Sequence, residues 1–300
     1  FSQHWSSHFD SDWFNMYNIL LLKSGYVQDF YDHPAFALFF VNSFFLSIFD
    51  FFNSEFIFNL DNPETSNNLD SYFEKIFILA RIINSIIHCC CIFLLSKILN
   101  ELSKNKIINL IFIVSFVFSN FFLINLFQIR PEIFSVFFFL FAFSIIIKKN
   151  NKKNDFLNFF LSGFLIGLAY VSKIQIIFFI FFIIFIIPLL PVIAEKEVNK
   201  QEIDINKKFF NLLISVYLII CFSYIVIEVF VIYKHPRYVD YPKIDLYLFF
   251  IFNFCYFFYL KILTNNNTYL LKKNISDFVV FFIGFSSAVV SLFFVNFFNI

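Results

Sequence analysis

Four aspartates, a histidine and a glycine fall within DSDWFNMYNILLLKSGYVQDFYDHPAF, residues 10–36 of a chain otherwise dominated by Phe, Ile, Leu and Asn. A carboxylate held next to apolar surface is a group that can take the proton of a reacting hydroxyl. Asp10 and Asp12 precede an apolar stripe, Phe14, Tyr17 and residues 19–22. That pattern predicts a short amphipathic helix from near Ser11, capped by Asp10 and closed by Gly25. Asp32 and His33 stand immediately before Pro34, which suits the first position of a second helix. Two acidic clusters joined by one short helix can face each other across a cleft. The plainer reading of the same residues is two helix starts with acidic caps, His33 being solvated.

Phosphate chemistry calls for different side chains. Arginine donates in pairs from a planar fork and stays charged, and the chain has three: Arg81, Arg130 and Arg237. Arg81 falls inside an apolar run, where a charge facing lipid at mid-membrane costs roughly 2.5 kcal/mol or more. It is near enough to the edge to snorkel. Arg130 and Glu132 flank Pro131, which also fits an ion pair shaping a turn. Lys173 suits either a phosphate contact or an interfacial anchor. Glu228, Lys234 and the triplet His235-Pro236-Arg237 form a further polar cluster. His4 and His8 have the spacing of metal ligands on a helix, but no helix is assured there, and no metal site is assigned. Cys89, Cys90, Cys91, Cys221 and Cys255 all lie in apolar runs and indicate no disulfide framework.

The elements that position these groups are set by composition. Of 300 residues 60% are hydrophobic and 14% charged, with a mean hydropathy of +0.79. Soluble domains carry about a quarter charged residues. The excess of Phe, Ile, Asn and Lys reads as a bias of A+T-rich coding sequence, which lends weight to the rarer residues. A net charge of +1 gives no footprint for nucleic acid. Apolar runs predict membrane helices near 76–100, 107–127, 133–147, 156–172, 174–194, 209–233, 246–263 and 277–297. Lysines at 104–106, 148–153, 195–208 and 272–273 mark the cytoplasmic loops. This topology puts all three arginines, and the acidic stretch, outside. Residues 36–52 are apolar enough to cross, but a crossing would invert every later loop. They read instead as an interfacial helix on the outer leaflet. Residues 1–75 then form one large outer loop with two interfacial helices, and 76–300 a transmembrane domain of about eight helices. The start at Phe1, in mid-loop and without Met, reads as a fragment whose first membrane helix is missing.

Asp10-Ser11-Asp12, the helix to Gly25 and Tyr31-Asp32-His33-Pro34 together resemble the first outer loop of GT-C glycosyltransferases. The likeness is to the bacterial branch related to protein O-mannosyltransferases and lipid A aminoarabinose transferase. In the same order, LARIINSI at 79–86 is similar to the start of that family's second membrane helix, with Ile83-Asn84 replacing Pro-Ser. QIRPE at 128–132 is similar to the loop before its fourth helix, and GLAYVSK at 167–173 to its Gly-Leu-Ala…Lys turn. The resemblance implies an all-α, polytopic GT-C-like bundle that moves a sugar from a polyprenyl-phosphate donor to an extracytoplasmic lipid, glycan or protein, by direct inverting attack. The membrane implied is the bacterial inner membrane. Either Asp10 or Asp12 would be the catalytic base, with Asp32 opposite; a gap-free count back from Gly25 and from Tyr31-Asp32 favours Asp10. His33, Arg81, Arg130, Glu132 and Lys173 would serve the donor phosphate and substrate. The resemblance fixes no cofactor. Two rivals are a non-catalytic carrier of lipid-linked sugars and a membrane assembly protein. A carrier predicts charges spread through the membrane and paired broken helices.

Overall fold

The computed structural model describes residues 10–26, 35–52, 69–147, 155–173, 256 and 268–298. The elements among them are helices: α1 Asp10–Lys23, α2 Phe36–Phe52, α3 Leu69–Leu102, α4 Lys106–Val117, α5 Asn120–Phe127, α6 Pro131–Ile147, α7 Asp155–Ser172 and α8 Thr268–Phe298. Phe73–Leu102 of α3 and Lys273–Ser291 of α8 are long and apolar enough to cross a membrane, and the bent α4–α5 pair passes the same test when taken as one span. The fold is therefore all-α, as composition requires. The expected helices at 174–194 and 209–233 lie outside the described residues, as does that at 246–263 apart from Tyr256, which is helical, and as do Asp32, His33 and Pro34.

Local sequence explains where the helices stop. After Lys23 the amide of Tyr26 bonds the Leu21 carbonyl at 2.9 Å and that of Gly25 bonds the Leu22 carbonyl at 3.2 Å. This is a Schellman closure, and it places Gly25 at φ +77°, a conformation in which a side chain is strained. α1 takes in Asp10 itself, one residue earlier than a cap there would allow. α3 begins at Leu69, two turns before the expected boundary, because Asp70, Ser71 and Glu74 continue the helix beyond its apolar part. The helix expected over 107–127 is broken. Ser119 has an extended backbone, φ −67° and ψ 143°, and its hydroxyl accepts from the Phe122 amide as the cap of α5. The two halves meet at 50°. A serine flanked by apolar residues gives no break in periodicity, so the run reads as one helix; its capping chemistry is what divides it.

The chain divides into two compact units, one of Phe1–Lys148, Leu165–Ile177 and Ser287–Ile300, the other of Lys149–Phe164 and Phe178–Ser286. In the first unit α3 packs on α6, α4 and α5, while α2 packs on α1, α3 and α6. α1 turns Asp12, Asn15, Met16, Ile19 and Leu20 inward, the spacing of one helical face. Trp13 meets Phe73 and Phe77 of α3 edge-on, with ring centroids 5.1 and 5.2 Å apart. Lys23 forms an ion pair with Asp50 of α2. α2 has two faces: Ala37, Leu38, Phe39 and Leu46 are buried, while Phe40, Phe44, Phe49 and Phe52 are exposed.

In the second unit α7 and α8 approach through glycine on both sides. A Cβ at Gly163 would stand 1.8 Å from the Phe281 carbonyl oxygen, and one at Gly284 would stand 2.1 Å from that of Phe160. Small residues let apolar helices touch backbone to backbone, which is the packing available where no water drives association.

Candidate active site

The inner stripe of α1 ends, at its N-terminal side, on the loop between α5 and α6. Asn15 donates from Nδ2 to the Ile129 carbonyl at 2.7 Å. The Ile129 amide in turn donates to Asp12 Oδ1 at 3.1 Å. Two side chains three residues apart on α1 thus hold both backbone groups of one loop residue, whose own side chain is fully buried. Asn84 of α3 donates from Nδ2 to the carbonyls of Asn125 at 2.6 Å and Gln128 at 3.0 Å. These are carbonyls at the end of α5, which lack partners within their own helix. One turn on, His88 Nδ1 lies 2.7 Å from the Asn84 carbonyl. A carbonyl only accepts, so Nδ1 carries the proton and the ring stands edge-on to Phe122.

Asp12 is 1% exposed. Burial is the chief influence on its carboxyl and pushes the pKa up from 3.8 to about 6; the Ile129 amide and the positive charges of Arg81 and Arg130 pull the other way. Both arginines, one from α3 and one from the α5–α6 loop, therefore act on the same carboxylate of α1. Pro131 opens α6 at its first position, where a missing amide costs nothing. Glu132 follows it and accepts from Lys173 Nζ at 2.8 Å. Glu132 is thus joined to Lys173, just past the end of α7, and the turn-shaping pair of Arg130 with Glu132 is not formed among the described residues.

The structure brings together Asp12, Arg81 and Arg130, and it joins Glu132 to Lys173. Asp10 lies in the first turn of α1, while Asp32 and His33 fall outside the described residues. Among the described residues no three His, Cys, Asp or Glu side chains gather as metal ligands. Cys89, Cys90 and Cys91 are free thiols. Sequence reasoning passed over Asn15 and took Asn84 only as a replacement within a motif. The available signal was an amide three residues after Asp12 on an otherwise apolar face. Asn is abundant throughout the chain, so nothing in the sequence marks this one out.

These features define an integral membrane protein of all-α architecture in which a buried acid lies within the influence of two arginine charges. Residues 56–243, more than half of the chain, match the dolichyl-phosphate-mannose-protein mannosyltransferase family. The chain belongs to that family, a branch of the GT-C superfamily, and is accordingly a membrane glycosyltransferase. No curated protein and no solved structure matches it. The matched residues include Arg81, Asn84, Arg130, Glu132 and Lys173, and they extend beyond residue 175, where the motif resemblance ended. Asp10, Asp12, Asp32 and His33 precede them.

Proposed function

We propose that this chain transfers a sugar, mannose being the one in the family's name, from a polyprenyl-phosphate donor to a hydroxyl on the extracytoplasmic face of the membrane. The single observation that carries the reading is that the Asp12 carboxylate, held by the Ile129 amide next to Arg130, feels the positive charges of both Arg81 and Arg130. It supports a place where a departing phosphate finds two guanidinium groups beside an acidic helix. In this reading α1 and α2 lie at the outer leaflet within the first loop, in a plasma or inner membrane. Lys173 reaches the site through Glu132, and Asp32 and His33 are assigned to it by the motif resemblance.

Asp10 and Asp12 divide the work. An α-helix turns about 100° per residue, so the two positions lie about 200° apart around α1. A pKa near neutral suits a general base, but a base must also reach the proton it takes. Asp12 is buried, and one of its oxygens is occupied by the Ile129 amide. It ties α1 to the arginine loop and leaves Asp10 as the base. The acceptor hydroxyl gives its proton to the Asp10 carboxylate, and its oxygen forms the new bond at the anomeric carbon. The bond from that carbon to the phosphate oxygen breaks, and its electron pair leaves with the polyprenyl phosphate. The two guanidinium groups take up the developing charge. Attack and departure on opposite faces invert the anomeric centre.

A carrier would use paired broken helices, and the α4–α5 break is one. Its bend, however, has a local cause in the Ser119 cap, and the family match favours a transferase. The deciding experiment follows radiolabelled mannose from dolichyl-phosphate-mannose into membrane protein, in membranes bearing the chain. Asn caps a helix about as well as Asp but takes no proton at neutral pH. Asp10→Asn should therefore insert and fold normally and lose about 10²–10⁴-fold in rate. Normal transfer by Asp10→Asn, Asp12→Asn and the double variant would reduce the acidic stretch to a helix start and overturn the mechanism.

A further inference from the structure

Arg130 is unusual in how firmly its backbone is held. The residue before it, Ile129, has its amide held by Asp12 and its carbonyl by Asn15. The residue after it is Pro131, whose ring fixes φ. One step further back, the Gln128 carbonyl is held by Asn84. Asn15 is 7% exposed and Asn84 is 1% exposed. Buried among apolar side chains, an amide is costly unless its N–H groups find acceptors. Both residues direct theirs to carbonyls of the same short segment, 125–129, from two different helices, α1 and α3. α3 also carries Arg81, one turn before Asn84. The two amides therefore set the separation of the Arg130 backbone from both the acidic helix and the helix bearing the second arginine.

We propose that Asn15 and Asn84 are positioning residues for the phosphate end of the donor: they clamp residues 128–129 between α1 and α3 and so fix where Arg130 meets the phosphate. The inference rests on the transferase reading above. It goes beyond it by assigning work to two uncharged residues that touch no substrate. Misplacing a group that binds a departing phosphate costs affinity and rate even when the group is still present.

The test uses the full chain in detergent micelles and two probes, farnesyl phosphate and farnesol, with binding measured by calorimetry. Only the first carries a phosphate, so their difference isolates the phosphate contact. Arg130→Gln should weaken farnesyl phosphate and leave farnesol unchanged. Asn15→Leu and Asn84→Leu should each weaken farnesyl phosphate on the order of tenfold, the usual effect of one lost hydrogen bond at its upper end, again with farnesol unchanged. Combined with Arg130→Gln, neither should cause a further loss, because each acts through Arg130. Asn15→Gln, which can still donate, should recover part of the affinity. Where a leucine variant does not fold, the alanine variant is scored in its place; a position at which neither folds serves the fold alone and counts against the inference. If Arg130→Gln weakens farnesyl phosphate while the asparagine variants bind normally, or add their losses to it, the positioning role is refuted and the site stands. If Arg130→Gln binds farnesyl phosphate as the parent does, the phosphate site itself is refuted.

Discussion

Asp12 offers the sharpest test of the site's electrostatics, because burial and charge pull its carboxyl in opposite directions and the outcome is measurable. Its pKa rises from 3.8 to about 6 on folding, burial outweighing the Ile129 amide and the two arginines. Below 3.8 both folded and unfolded chains hold the proton, and stability is at its full value. Between 3.8 and about 6 the unfolded chain has released its proton while the folded chain keeps it, so raising the pH favours unfolding. Above about 6 both have released it and no further change comes from this group. At 1.36 kcal/mol per pH unit the loss across the window is about 3 kcal/mol, an order-of-magnitude figure. Asn has the shape of the protonated acid and can still accept from the Ile129 amide. Asp12→Asn should therefore remove this slope and be the more stable protein at pH 8. Thermal unfolding in detergent, followed by tryptophan fluorescence, suits the purpose, since Trp13 sits one residue on and packs against Phe73 and Phe77. Other carboxyls titrate in the same window, so the quantity to compare is the pH dependence of the parent minus that of Asp12→Asn. A difference of zero would show that the arginines and the Ile129 amide cancel burial, and a parent that gains stability over Asp12→Asn as pH rises from 4 to 7 would show that they outweigh it; either result refutes the reasoning.

Three further outcomes follow from the geometry. Gly163→Ala and Gly284→Ala should each destabilise the chain by about 1–3 kcal/mol, the usual cost of overpacking, although Gly to Ala within a helix ordinarily stabilises; unchanged melting of both variants would disprove the close approach of α7 to α8. Gly25→Ala meets no atom within 4 Å, so its cost should be only the backbone term of about 1–2 kcal/mol for a left-handed residue, with Gly25→Asn milder; equal melting of Gly25→Ala and the parent would refute the Schellman closure. Lys173→Gln should impair mannose transfer less than Arg130→Gln does, because Lys173 is spent on Glu132; the reverse order would make Lys173 the principal phosphate contact.

What was legible in the sequence was the part written in rare residues and in periodicity. Apolar runs announce α3, α6, α7 and α8, and Gly25 announces where α1 stops, because each of these signals has a single local cause. Arg81 and Arg130 stand out because the chain has only three arginines, and in the structure the charges of both bear on the Asp12 carboxyl. The parts that were not legible have a different physics. The break at Ser119 depends on one hydroxyl choosing a cap over solvation, and the apolar pattern on either side is indifferent to that choice. Asn15 and Asn84 are two members of a very common residue type in this chain, so no count distinguishes them. Only tertiary structure shows that their amides fall on the carbonyls of 125–129. A base can be recognised from one residue and its neighbours, because its chemistry belongs to a side chain. A clamp belongs to a distance between two helices, and here that distance is set by residues separated by more than forty positions at the nearest. The division of labour between Asp10 and Asp12 is of the same kind. Both are aspartates on one helical turn, and the proposal separates them by the Ile129 amide, which the chain delivers to Asp12 from 117 residues away. An acid held and buried in that way is, in this proposal, the anchor of the arginine loop and not the group that meets the acceptor.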